Sequence, residues 1–222
     1  VAGTYWSNNV VLVKYNSSGN ALWARSVTAG NDRSEFNSVA VDSSGNVYAA
    51  GYQDDTGSYT YGEGVSVAGT YWSNNVVLVK YNSSGTALWA KSVTAGTSYS
   101  RFYSVAVDSS GNVYAAGYQY GTGSLTYGEG VSVAGSYSDC NVVLVKYDSS
   151  GTALWAKSVT AGDDYSEFNS VAVDSSGNVY AAGYQRGMES YTYGPGVSVA
   201  GSYSGTNYYD VNVVLVKYGA TP

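Results

Sequence analysis

Apolar and polar positions alternate with a period of two along most of this chain. "NVVLVKY" at 9–15 sets Val10, Leu12 and Lys14 on one face and Val11, Val13 and Tyr15 on the other. "ALWARSV" at 21–27 separates Leu22 and Ala24 from Trp23 and Val27 in the same way. "SVAVD" at 38–42 and "NVYAAGY" at 46–52 follow, rich in Ala and Gly where strands must crowd closely. No segment carries a 3.6-residue apolar period, so the pattern predicts strands throughout and an all-β fold.

Short polar turns separate these strands. "YNSSGNA" and "VDSSGNV" each place an Asn or Asp ahead of a Gly. The Asx side chain accepts backbone N–H bonds, and Gly takes the left-handed position that closes a hairpin. Hairpins are therefore predicted at Asn16 to Gly19, at Asp42 to Gly45 and at their copies. A calcium role for Asp42, Asp108 and Asp174 is the weaker reading, because one carboxylate per loop is too few. A long connection, "QDDTGSYTYGEGVSVAGTYWSNN" at 53–75, holds its own strand-like pieces around Gly62 to Gly64 and predicts an extra hairpin.

The whole pattern recurs. Val1, Val67 and Val133 open three copies 66 residues apart, and Val199 opens a truncated fourth. The second and third copies agree at roughly four positions in five. We therefore read 1–222 as a single repeat domain with repeats 1–66, 67–132, 133–198 and a partial 199–222. Four-stranded units at a fixed period predict β-propeller-type blades of about four antiparallel strands, with a β-solenoid as runner-up. From inner to outer strand, a blade would run "SVAVD", "NVYAAGY", "NVVLVKY", "ALWARSV".

That order leaves three copies of every strand except "NVVLVKY", which has four. The copies at 9–15 and 212–218 then compete for one place beside a single "ALWARSV". Self-association through the terminal strands is the expectation, unless the chain is the carboxyl-terminal portion of a larger propeller. Its opening within a repeat reads as a cut or processed end, and "YGATP" as a terminus.

Composition narrows the chemistry. Across 222 residues, apolar positions favour Val, Ala, Tyr and Trp over Leu and Ile, which suits pleated sheet. A net charge of −6 argues against a phosphate-binding surface, so no nucleic-acid partner is expected. No apolar run approaches the ~20 residues of a membrane span. Cys140 is the only cysteine, stands at the loop position of Asn8 and Asn74, and is read as incidental. With no histidine, the usual general base and metal ligand are missing. No G-x-S-x-G elbow is present. The adjacent acids Asp54–Asp55 and Asp163–Asp164 read as solvated loop edges rather than a glycosidase pair. The chain is thus expected to be no enzyme and to hold no cofactor or metal.

"NVVLVKYNSSGTALWAKSVTAG" followed by "FNSVAVDSSGNVYAAGYQ" resembles the bacterial β-propeller repeat family abbreviated SBBP. "VDSSGNVY" is similar also to NHL-type propellers, and "SSGTALWA" to the corner of quinoprotein blades. The resemblance covers essentially the whole chain. It implies a secreted or cell-surface bacterial propeller and no particular reaction.

Differences among the copies fall in three loops, expected to share one face opposite the two invariant hairpins. "TYWSNN" carries Trp6 and Trp72. "NDRSEFN" and its copies carry Asp32, Arg33, Tyr99, Arg101, Tyr103, Asp163, Asp164 and Tyr165. The third loop, beginning "QDDTGSY", carries Asp54, Asp55, Tyr120 and Arg186. Loops on a rigid scaffold are where binding concentrates. Flat aromatic faces beside Asn and Asp suit sugar rings, so a glycan or surface polymer is the expected ligand class. The competing reading is a self-assembling structural surface protein whose Tyr-rich loops make chain–chain contacts. Trp23, Trp89 and Trp155 recur at one strand position and are assigned to packing between blades.

Overall fold

The computed structural model describes residues 3–204, 207 and 210–219. Leu12–Tyr15 (β1) and Ala21–Arg25 (β2) come first. One full round follows: Ser34–Val41 (β3), Val47–Gln53 (β4), Ser58–Gly62 (β5), Val65–Ala68 (β6), Asn75–Tyr81 (β7) and Ala87–Lys91 (β8). The next comprises Ser100–Val107 (β9), Val113–Tyr120 (β10), Ser124–Gly128 (β11), Val131–Ala134 (β12), Cys140–Tyr147 (β13) and Ala153–Lys157 (β14). The last holds Ser166–Val173 (β15), Val179–Arg186 (β16), Ser190–Gly194 (β17), Val197–Ala200 (β18) and Val211–Tyr218 (β19). The fold is all-β, as the alternation predicts.

Pairing follows the expected strand order. β3-β4-β7-β8 and β9-β10-β13-β14 are antiparallel meanders, β15-β16-β19 is the same sheet with three strands, and β1-β2 is a two-stranded piece. The long connection folds apart from each meander as a hairpin, β5-β6, β11-β12 or β17-β18. A repeat thus supplies six strands, four to a sheet and two to this hairpin.

The turns close as their residues dictate. Gly45 N donates to Asp42 O at 2.9 Å with Gly45 at φ 77°, and the Asp42 carboxylate accepts from the N–H groups of Ser44 and Asn46. Desolvation pushes the Asp42 carboxyl up. The bonds from Asn46, Tyr48 and Ser44 outweigh it and hold the group below the usual range. Asp108 and Asp174 repeat the arrangement, their carboxylates also engaged by the turn. Among the described residues no metal-binding cluster of three His, Cys, Asp or Glu forms.

Sheets stack face to face in chain order. One face of the first meander (Tyr48, Ala50, Val76, Leu78) packs on Val105, Val113, Val143 and Tyr147 of the second. The second meets the third likewise through Val142 and Leu144 against Val171, Val179, Val214 and Val216. β1 and the residues just ahead of it lay Val10 and Leu12 on Val77 and Val79. β7 is buried along its entire length, so both of its alternating faces are apolar. The first strands of neighbouring sheets approach closely: Val105 N donates to Ser38 Oγ at 3.2 Å, and Val171 N to Ser104 Oγ at 3.1 Å. At the last strands the gap is filled by tryptophan, with Trp23 Nε1 donating to Ser83 O and Trp89 Nε1 to Ser149 O. That is the packing role expected of these tryptophans.

Gly117 shows why the inner strands need glycine. A Cβ there would lie 1.9 Å from the Arg101 carbonyl oxygen, where the β9–β10 register shifts. Each hairpin is tied to its sheet by one buried glutamine: Tyr61 Oη donates to Gln53 Oε1, and Gln53 Nε2 donates to Val67 O.

Candidate ligand-binding face

The three variable loops gather at one end of the stack, opposite the invariant turns. Backbone bonds join them: Ser34 N donates to Asn8 O at 3.0 Å and Asp54 N to Arg33 O at 2.9 Å. Asp32 and Asp54 therefore share a face, as the strand order requires.

One asparagine builds the "TYWSNN" loop in each copy. Asn75 Oδ1 accepts from the N–H groups of Thr70 and Tyr71, and its Nδ2 donates to the carbonyls of Tyr71, Ser73 and Asp55. Asn9, Asn141 and Asn212 do the same for their loops. A buried amide that satisfies several backbone groups holds the loop in one shape. The tip then faces solvent, leaving Trp6 88% and Trp72 71% exposed. Each leans on the preceding tyrosine, with ring centroids 5.4 Å apart for Tyr5–Trp6 and 5.2 Å for Tyr71–Trp72. These asparagines escaped the sequence reading. The available signal was an Asn at the same place ahead of all four "VVLVKY" strands.

Most other candidates are engaged with one another. Arg33 pairs with Asp54 at 2.7 Å, Asn74 Nδ2 donates to the second Asp54 oxygen, and Arg101 Nε donates to Asn74 Oδ1 at 2.6 Å. Arg101 also lies 4.2 Å over the Tyr52 ring, so this network links the first meander to the second. Asp54 is buried, which corrects the solvated-edge expectation for Asp54–Asp55: the Arg33 charge and the Asn74 amide replace its water. Asp55 lies at φ 72° where the other copies have Gly121 and Gly187. Asp32 caps its own loop through the Arg33 N–H.

Equivalent positions in the second copy make a different contact. Tyr99 stacks on Tyr120 with centroids 4.4 Å apart, where the first copy has Arg33 and Asp54. In the third, the backbone bond is kept (Arg186 N donates to Tyr165 O, as Asp54 N does to Arg33 O), but the Arg186 side chain turns to Asp164, 3.8 Å away, while Asp163 is exposed.

A second cluster lies beneath the third sheet's loops. Glu167 is buried and accepts from the hydroxyls of Tyr165 and Tyr184, the latter at 2.9 Å. Desolvation raises its carboxyl above the ordinary range despite those bonds and the Arg101 charge. Tyr103 packs here, its phenol pushed up to about 12 by burial. Cys140 corrects another expectation. It is not a loop residue but begins β13, buried against Tyr118 and Tyr165. Burial pushes its thiol well up, away from the reactive thiolate.

No protein-family model and no curated protein matches the chain. A solved structure is similar, that of a protein of unknown function from Bacteroides caccae. The match covers 95% of this chain and 69% of that one, at 14% identity and a TM-score of 0.44. At that score the likeness carries no weight for function.

Proposed function

We propose that the chain is a non-enzymatic binding module that engages glycans or another surface polymer through its loop face. In this reading the meanders are blades of a propeller-type array of SBBP character, working outside the cell. The propeller reading is supported by four-stranded sheets stacked face to face, with their first strands hydrogen-bonded across the sheet boundary.

One observation carries the binding reading. Trp6 and Trp72 occupy the same repeat position, stand clear of the protein and ride on loops already locked by Asn9 and Asn75. A locked loop loses little conformational entropy on binding, and an indole face meets the C–H face of a sugar over a broad apolar area. Their place in consecutive repeats fits a ligand that is itself a repeating chain, which gains avidity from two contacts.

Tryptophan fluorescence on titration with a panel of soluble polysaccharides tests this. Binding should shift the emission, Trp72→Ala should weaken it at least tenfold, and Trp6→Ala with Trp72→Ala should abolish it. Binding by the double variant equal to that of the wild type, or no binding across the panel, overturns the reading.

A further inference from the structure

The three-stranded sheet holds a groove where its relatives hold a strand. In the complete sheets, β8 and β14 line the outer edges of β7 and β13; among the described residues nothing pairs with that edge of β19. The groove beside it measures about 270 Å³ and is lined by Trp155, Lys157, Tyr193, Gly194, Val197 and Val216. Its wall bears the imprint of the strand it lacks. A Cβ on Gly62 would come 2.7 Å from the Ala87 Cβ, and one on Gly128 the same distance from Ala153; Gly194 has nothing within 4 Å.

The same sheet also leaves its outer face open. Val213 is 90% exposed and Leu215 71%, whereas Val76, Leu78, Val142 and Leu144 at the same repeat positions are wholly covered by the next sheet. At the opposite end of the stack, Val39 is 54% exposed, while its counterparts Val105 and Val171 are buried by the preceding sheet's first strand. The two open ends are therefore complementary halves of one repeated interface.

We propose that the β15-β16-β19 sheet of one chain docks on the amino-terminal sheets of a second copy, with β19 taking the place of β1. Both strands carry the sequence "NVVLVKY", so β2 of the second copy meets the same side chains it meets on β1. By the register of β7 on β8, Leu215 comes opposite Arg25, Lys217 opposite Trp23 and Tyr218 opposite Ala21. Ala21 then seats on Gly194, as Ala87 does on Gly62. Trp23 keeps its bond to Ser83 O, because β2 stays where it is. Val213 and Leu215 replace Val10 and Leu12 on Val77 and Val79.

The exchange gains what β1 cannot supply. β1 is a four-residue strand with no partner on its other edge among the described residues, while β19 is an eight-residue strand already backed by β15 and β16. β15 covers Val39 and Val41 and brings Ser170 Oγ to the Val39 N–H, the bond that Ser38 and Ser104 make inside the chain. An edge strand offering its backbone groups is a ready template for such pairing, and a head-to-tail contact of this kind closes into a ring or extends as a filament. Nothing in it depends on the ligand of the loop face.

Light scattering on the 222-residue chain, from micromolar to submillimolar concentration, is the test. The wild type should give multiples of 23.2 kDa. Leu215→Glu, at an already exposed site, should return it to 23.2 kDa. So should a peptide of sequence SGTALWAKSVTA, by filling the groove. Val11→Glu, exposed in the segment that leads into the displaced β1, should leave assembly unchanged. A monomeric wild type overturns the proposal, as does assembly that survives Leu215→Glu or the peptide, or that is lost in Val11→Glu.

Discussion

Leucine occupies one repeat position in four strands, and its truncation should have very different effects in two of them. Leu144 of β13 is fully buried, packed in the core shared with Val171, Val179 and Ala181. Removing its isobutyl group forfeits transfer energy of about 1.5–3 kcal/mol, and the hole left behind adds about 24 cal/mol per Å³. β13 is paired on both edges, by β10 and β14, so its surroundings collapse poorly. Leu144→Ala should therefore cost about 3–4 kcal/mol, the middle of the usual range. Leu215 of β19 keeps less than a third of its surface from water and lines no enclosed space. Leu215→Ala should cost roughly 1 kcal/mol or less. Urea unfolding of both variants and the wild type in dilute solution, followed by tryptophan fluorescence, measures the difference. Equal losses would refute the reasoning, because Leu215 would then have to be covered within its own chain.

Two further outcomes follow from buried groups. Gly117→Ala drives a Cβ to within 1.9 Å of a backbone oxygen and should cost about 3 kcal/mol or more, whereas Gly123→Ala, with open space around it, should change stability by less than about 0.5 kcal/mol. Parity between the two in urea midpoint would show that the β9–β10 contact yields freely. Glu167 has a raised folded pKa, so its contribution is fully present below the unfolded value of about 4.3 and is lost as pH rises through the folded one. Over that window the wild type should lose stability relative to Glu167→Gln by up to about 1.4 kcal/mol per pH unit. A pH-independent difference between them would sink this account of the Tyr165–Glu167–Tyr184 cluster.

The sequence by itself determined the strands, the hairpins, their order in each sheet and the end of the stack on which the variable loops lie. Those features rest on short-range physics. Period-two alternation sorts faces within one strand, an Asx–Gly pair closes a turn over four or five residues, and a 66-residue repeat copies the result. Even the uneven count of "NVVLVKY" strands was legible without coordinates.

What only the tertiary structure decided is which polar groups face water. Asp54 looks like any loop acid until Arg33, twenty-one residues away, and Asn74, twenty away, close on it. Asn75 recurs ahead of every "VVLVKY" strand, but its role as the loop's anchor shows only when the Asp55 carbonyl arrives from across the loop. Cys140 reads as a loop residue because the register with β10 that draws it into β13 is a contact between distant segments. Burial is a property of neighbours, and neighbours from other strands and other sheets are chosen only when the chain packs. For the same reason, four nearly identical strands differ in fate: β7 and β13 lie between two sheets, while β1 and β19 each keep one face in water.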